Sequence, residues 1–274
     1  MGTALSITRV QLYTDTSIII GDDDLARVNA ITQRHLKGEP LQYIFGMAYF
    51  YDREFFVDAN VLIPRPDTET LVEAVINSEK DCPARFADIG TGSGIIAAVL
   101  AAHRPKWRAV AVDISYGALR VAKKNILSSG ITNGRERMDR QDSSSPPKNI
   151  HLVCCDMLTA VRPEKQFDFI VSNPPYISST QMKALGNSVA GYEPHTALRG
   201  GNDGLDYYRM ISGCAKMYLK DGGRVYLEIG YDQGESVPGI FSDDGWAGIA
   251  VTKDLAGNNR VVTASSSQKL ADFS

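Results

Sequence analysis

Phe86-Ala87-Asp88-Ile89-Gly90-Thr91-Gly92-Ser93-Gly94-Ile95 runs from an apolar, strand-like stretch through closely spaced glycines into a helix that continues to His103. The glycines permit a tight turn and let a ligand approach the backbone with no Cβ in the way. Around this turn, strand-like and helix-like stretches alternate. Ala109 to Val112 reads as a second strand and Tyr116 to Leu127 as a helix. Ile150 to Cys155 and Phe167 to Ser172 are further strands, and a helix from about Asp206 to Leu219 precedes a strand over Arg224 to Ile229. Such alternation implies an α/β fold, a parallel sheet with helices on both faces. The spacing is G-x-G-x-G, not the G-x-G-x-x-G of dinucleotide folds, and no G-x-x-x-x-G-K-[ST] occurs. Asp113 closes the second strand, where a carboxylate would accept hydrogen bonds from both ribose hydroxyls of an adenosine. A glycine turn alone could be a tight connection and nothing more. With Asp88 before it and Asp113 after it, the turn reads as a ligand cradle.

Asn173-Pro174-Pro175-Tyr176 follows the strand Phe167 to Ser172. Two consecutive prolines remove two backbone donors and fix two φ angles, so the strand cannot continue. What remains is a stiff turn at a strand's carboxyl end, the edge where open α/β sheets bind ligands. It presents an amide side chain, carbonyls without ladder partners and an aromatic ring. That set suits a flat, NH2-bearing substrate group.

A chain of 274 residues can hold one large domain, or one plus a small one. Hydrophobic residues at 43% and charged residues at 22% are ordinary for a soluble globular protein. The formal charge of −3 argues against a dedicated nucleic-acid binder, and the basic clusters His103 to Arg108 and Arg135 to Arg140 read as solvated surface. Cys82, Cys154, Cys155 and Cys214 show neither metal-type nor disulfide-framework spacing, and the histidines are scattered, so no metal site is expected. The longest apolar run, Ile95 to Ala102, is too short to span a membrane, and the N-terminus shows no signal pattern. A reducing, cytoplasmic setting is expected.

Ahead of the alternating region, Asp22-Asp23-Asp24 precedes Leu25, Val28, Ile31 and Leu36 at helical spacing, and Gly38-Glu39-Pro40 breaks that helix. Leu41 to Val57, aromatic and β-branched around Gly46, suggests a short hairpin. Pro64 and Pro66 bracket Arg65, and Asp67-Thr68-Glu69 starts a helix leading into Leu71, Val72, Val75 and Ile76. Arg65 is open to two readings: an anchor of a ligand pocket, or a structural ion pair with Glu69 or Glu193. Glu228, ending the strand Val225-Tyr226-Leu227, reads as structural. Thr132 to Lys148 is polar and serine- and proline-rich, a loop insertion.

Together, the glycine turn, Asp113 and the Asn-Pro-Pro-Tyr turn resemble the class I S-adenosylmethionine-dependent methyltransferases. That resemblance implies a Rossmann-like sheet of seven strands, with S-adenosyl-L-methionine as cofactor and S-adenosyl-L-homocysteine as product. It assigns the cofactor to Asp88, Gly90, Thr91, Gly92, Ser93, Gly94, Asp113, Asp156, Met157 and Asn173. Asp156 would meet the adenine amino group and Met157 would pack on its ring. Plain core packing is the alternative for Met157, which stands where the family usually has an aromatic.

Leu36-Lys37-Gly38-Glu39-Pro40-Leu41-Gln42-Tyr43-Ile44 and Val61-Leu62-Ile63-Pro64-Arg65-Pro66-Asp67-Thr68-Glu69 narrow the resemblance to the release-factor glutamine methyltransferases (the HemK/PrmC family). Tyr192-Glu193-Pro194, Gly200 to Gly204 and Asp254 to Arg260 continue the match. It implies a small helical docking domain over residues 1–38, short at its start, a β-hairpin linker over 39–66 and a catalytic domain over 67–274. It also implies methylation of a glutamine side-chain nitrogen, in the Gly-Gly-Gln loop of class-1 peptide release factors. No membrane and no direct nucleic-acid contact are expected.

An amide nitrogen is a poor nucleophile because its lone pair is delocalised into the carbonyl. Asn173 Oδ1 and the Pro174 carbonyl could each accept one N–H of the substrate amide and favour positive charge building on the nitrogen. Pro175 would stiffen that substrate-binding turn. Tyr176 would stack on the amide, or else simply pack at the turn. Other readings are methylation of a large-subunit ribosomal-protein glutamine, adenine-N6 methylation of nucleic acid, and a catalytically silent module that senses the cofactor.

Overall fold

The computed structural model describes residues 5, 7, 9–15, 17–128, 149–186, 189 and 191–266. The expected Thr132 to Lys148 insertion lies outside the described residues. Helix Arg9–Thr14 is followed by Asp22–Leu36, whose first turn holds the three aspartates and whose last holds Arg34 and His35, each end matched to the helix dipole.

The expected hairpin starts later than the sequence suggests. Leu41–Phe45 is a short helix, stopped at Gly46, whose φ of 67° makes a left-handed C-cap. Strands β1 (Met47–Phe50) and β2 (Arg53–Phe56) then form an antiparallel pair. Tyr51 and Asp52, at φ 51° and 58°, give the doubly left-handed turn whose twist suits a two-residue hairpin. Neither is glycine, so the turn is strained. Tyr51 is tied down through its N–H to Glu69 Oε1 at 2.8 Å and edge-on to the His103 ring at 4.9 Å.

Helix Thr68–Ser78 leads into the alternating region: β3 (Arg85–Ile89), helix Ile95–His103, β4 (Arg108–Asp113), helix Tyr116–Ser128, β5 (Ile150–Cys154) and β6 (Phe167–Ser172). After helices Ser179–Met182 and Asp206–Cys214 come β7 (Leu219–Glu228), helix Ser236–Asp243, β8 (Ala247–Lys253) and β9 (Asn259–Ser265). The seven-stranded sheet has the order β5-β4-β3-β6-β7-β9-β8. Its members from β5 to β7 pair in parallel, and β9 runs antiparallel to both neighbours. β7 starts five residues before the expected Arg224 because Leu219 already pairs with Phe167.

Successive side chains along each central strand go to opposite faces. Phe86, Ala109, Phe169 and Tyr226 pack on one face with helices Thr68–Ser78 and Ile95–His103. Ala87, Val110, Ile170 and Val225 pack on the other with Tyr208, Ile211, Val237 and Phe241. Both faces are dry, which explains why these strands read as continuous apolar runs. Phe86 and Phe169 stack at 4.9 Å across the β3–β6 seam, fixing the two strands whose ends carry the glycine turn and the proline turn.

Candidate active site

A cleft opens at the carboxyl ends of β3, β4, β5 and β6, where chain connections leave β3 in opposite directions. It encloses about 1040 Å³, open mouth included. Of the residues singled out in the sequence, Gly90, Thr91, Gly92, Ser93, Asp113, Asp156, Met157, Asn173, Pro174 and Pro175 line it; Asp88, Gly94 and Tyr176 do not.

Gly90 and Gly92 both have positive φ, 69° and 54°. A Cβ built on Gly90 would meet no atom within 4 Å, so bare backbone faces open space. Two carboxylates shape this turn. Asp88, fully buried beneath it, accepts from Thr91 Oγ1 at 2.7 Å. Burial pushes Asp88 up to about 7, against that hydrogen bond and one from the Ala97 backbone, with Asp113 raising it slightly further. Asp113 accepts from the Gly92 N–H and the Ser115 N–H, both at 2.8 Å, and burial raises it too. Gly94 serves packing: a Cβ there would lie 3.0 Å from Ala122 Cβ, so helix Tyr116–Ser128 could not approach as closely.

Asp156 and Met157 follow β5. Met157 has φ 51°, a left-handed conformation that turns the chain into the cleft wall, and its carbonyl accepts from Cys155 Sγ at 3.3 Å. Tyr207, which the sequence reading missed, lines the same part of the cleft.

At the proline turn, Asn173 donates from Nδ2 to Thr68 Oγ1 at 3.1 Å. Among the described residues no backbone donor meets the Pro174 carbonyl. Tyr176 sits apart from the cleft: its half-buried ring packs into the second core face, and burial pushes its phenol up to about 12. Of the two readings of Tyr176, packing at the turn is the contact seen here. Gly204 approaches the turn so closely that a Cβ would lie 2.4 Å from the Tyr176 carbonyl, and its φ is 81°. Gln233 Nε2 also reaches that carbonyl, at 3.2 Å.

The linker closes the cleft from the other side. Arg65 lines it and pairs with the buried Glu193 at 2.6 Å, one of the two ion pairs expected for it. Glu69 is engaged by the Tyr51 N–H instead. Asn60, Val61, Leu62 and Pro64 before helix Thr68–Ser78, Thr68 at its start, and Pro194, Thr196 and Ala197 also line the wall. Only a shared motif could have flagged them, because their spacing carries no periodicity.

Residues 1–46 match the PrmC N-terminal domain family and residues 66–189 the Methyltransferase small domain family. A release factor glutamine methyltransferase of Koribacter versatilis is 37% identical over 94% of this chain and 86% of its own length. Its counterpart in Streptococcus pneumoniae is 40% identical, covering 88% of this chain and 80% of its own length. The chain belongs to the release factor glutamine methyltransferases. The two matched stretches follow one another along the chain. The methyltransferase fold itself extends further: a methyltransferase from Pyrococcus furiosus, 15% identical, superimposes with a TM-score of 0.53 over 89% of this chain and 99% of its own.

Proposed function

We propose that this release factor glutamine methyltransferase moves a methyl group from S-adenosyl-L-methionine to the side-chain nitrogen of the Gly-Gly-Gln glutamine of class-1 release factors. The observation that carries the reading is the juxtaposition of a bare glycine turn with the Asn173 carboxamide across one cleft. The donor set fits the cofactor. Gly90 to Ser93 offer exposed backbone, Asp113 a carboxylate for ribose hydroxyls, and Asp156 with Met157 a polar and an apolar contact for adenine. Asp88 and Gly94 support the turn from beneath. When bound, the cofactor supplies an activated methyl on a sulfonium, so no metal or nucleophilic side chain is required.

The chain's own work is to hold the amide. Asn173 Oδ1 and the Pro174 carbonyl take one N–H each, and they interact more strongly as the nitrogen gains positive charge. Pro175 keeps these acceptors fixed, so little reorganisation accompanies the reaction. Tyr176 backs the turn. The linker and the residues 1–38 domain are suited to guide a protein substrate to the cleft, and a cytoplasmic setting fits a translation factor as partner. Among the described residues no helix is long and apolar enough to cross a membrane.

Methyl transfer from labelled cofactor to purified release factor, ribosomal protein and DNA, assayed in parallel, tests the reading. Label in release factor is expected. Label in DNA alone, or in the ribosomal protein alone, would replace it with one of the other two activities.

A further inference from the structure

Glu228 ends β7, is fully buried, and does not line the cleft. It stands next to Asn173, one position past the paired Ser172 of β6 and Leu227 of β7. The nearby Thr68 and Asn173 side chains, themselves joined by the Asn173 Nδ2 to Thr68 Oγ1 hydrogen bond, and the charge of Arg260 favour its ionised form, while Asp67 opposes it. Tyr176 and Tyr208 face the same carboxylate, and Arg260 is shared with Asp67 and Asp254, each at 3.1 Å. Glu228 Oε2 has no hydrogen-bond partner among the described residues. A buried carboxylate with an unmet oxygen is costly, so its place beside the proline turn calls for an explanation.

The two ends of an asparagine amide are alike in shape and opposite in hydrogen bonding: one donates, the other accepts. An ionised carboxylate only accepts. It therefore stabilises an amide whose NH2 points toward it and opposes the reversed orientation. We propose that Glu228 is a positioning residue that acts with Thr68 to hold the Asn173 NH2 inward, leaving Oδ1 to receive the substrate N–H. Reversed, Asn173 would set a donor against the substrate's donor and the clamp would fail. The inference rests on the amide-methylating reading of the cleft. It adds that the orientation of the clamp is decided by residues outside the cleft's contact surface. Burial pushes Glu228 up to about 7, so near neutrality it takes up a proton and becomes donor and acceptor at once, which no longer disfavours the reversed amide.

The test measures turnover of the full chain with labelled S-adenosylmethionine and whichever acceptor the wild type methylates, for Glu228→Gln, Thr68→Val and Thr68→Ser. Glu228→Gln and Thr68→Val are expected to lower kcat about 10²-fold with calorimetric Kd for S-adenosylhomocysteine changed less than about 2-fold. Thr68→Ser, which keeps the hydroxyl, is expected to turn over at least ~10-fold faster than Thr68→Val. The wild-type kcat should also fall on the acid side of neutrality, and that limb should vanish in Glu228→Gln. An unchanged kcat and pH profile in Glu228→Gln, or a kcat loss matched by lost cofactor affinity, would overturn the proposal. If circular dichroism shows Glu228→Gln unfolded, the Thr68 pair decides: equal turnover of the two variants overturns it. Methylation of DNA instead of protein by the wild type would sink the proposed function, and the same variants would then be compared on DNA.

Discussion

The Asn173 carboxamide is held by its nitrogen, 3.1 Å from Thr68 Oγ1, and the residue lines the cleft. Removing that acceptor by Asn173→Ala should lower kcat by roughly 10²- to 10³-fold, the scale of losing one preorganised partner of developing charge. Calorimetry with S-adenosylhomocysteine should show the cofactor still bound. Asp113 is expected to behave in the opposite way, because its carboxylate is the proposed ribose contact and also accepts from the Gly92 and Ser115 N–H groups. Asp113→Ala should weaken cofactor binding by ~10- to 10²-fold, as expected from losing charge-assisted hydrogen bonds, and the same calorimetry checks it. Asn173 and Asp113, both singled out in the sequence by their place at strand ends, line the cleft. Thr68 was not singled out as a site residue, since a threonine at a helix start reads as a cap. Tyr176 had two readings in the sequence, stacking on the substrate or packing at the turn, and no local pattern after two prolines chooses between them.

The proline turn keeps its shape partly through the segment Leu198 to Gly204. The Ile177 N–H meets the Leu198 carbonyl at 3.0 Å, the Gly200 N–H meets the Ile177 carbonyl at 2.9 Å, and Gly204 presses on Tyr176. A Cβ at Gly204 would collide with backbone in a φ that L residues rarely adopt, so Gly204→Ala should cost about 1–3 kcal/mol of stability. Because the turn itself must shift, turnover should fall as well; denaturant melts paired with kcat measurements check both. Helices and strands around β3 to β6 were legible almost to the residue, since apolar runs there are bounded by glycine, proline and charge. Helix Leu41–Phe45 was taken for hairpin because its aromatic and β-branched content favours strand, yet Gly46 closes it as a helix. Strands β8 and β9 were reached only by family likeness. Their edge position leaves β8 largely exposed and weakly patterned.

Across the whole molecule, a dry two-faced sheet buries acidic groups next to the cleft, and this links stability to pH. Burial pushes Asp88 and Glu228 both up to about 7, above their unfolded values of 3.8 and 4.5. The folded protein therefore keeps protons that the unfolded chain has released. This contribution is fully present below about pH 4 and is lost as pH rises toward 7. Thermal melts from pH 5 to pH 8 should show that decline, and Asp88→Asn, which cannot titrate, should flatten part of it. The layered architecture was legible in the sequence, and Glu193 was named there as one of two partners for Arg65, but no local pattern chooses between Glu69 and a residue 128 positions away. The most direct measurement of the central claim is peptide mass spectrometry of a class-1 release factor after incubation with S-adenosylmethionine and either the wild type or Asn173→Ala. The account predicts one methyl group on the side-chain nitrogen of the Gly-Gly-Gln glutamine with the wild type and almost none with the variant. A methyl group on any other residue, or equal methylation by both proteins, would contradict it.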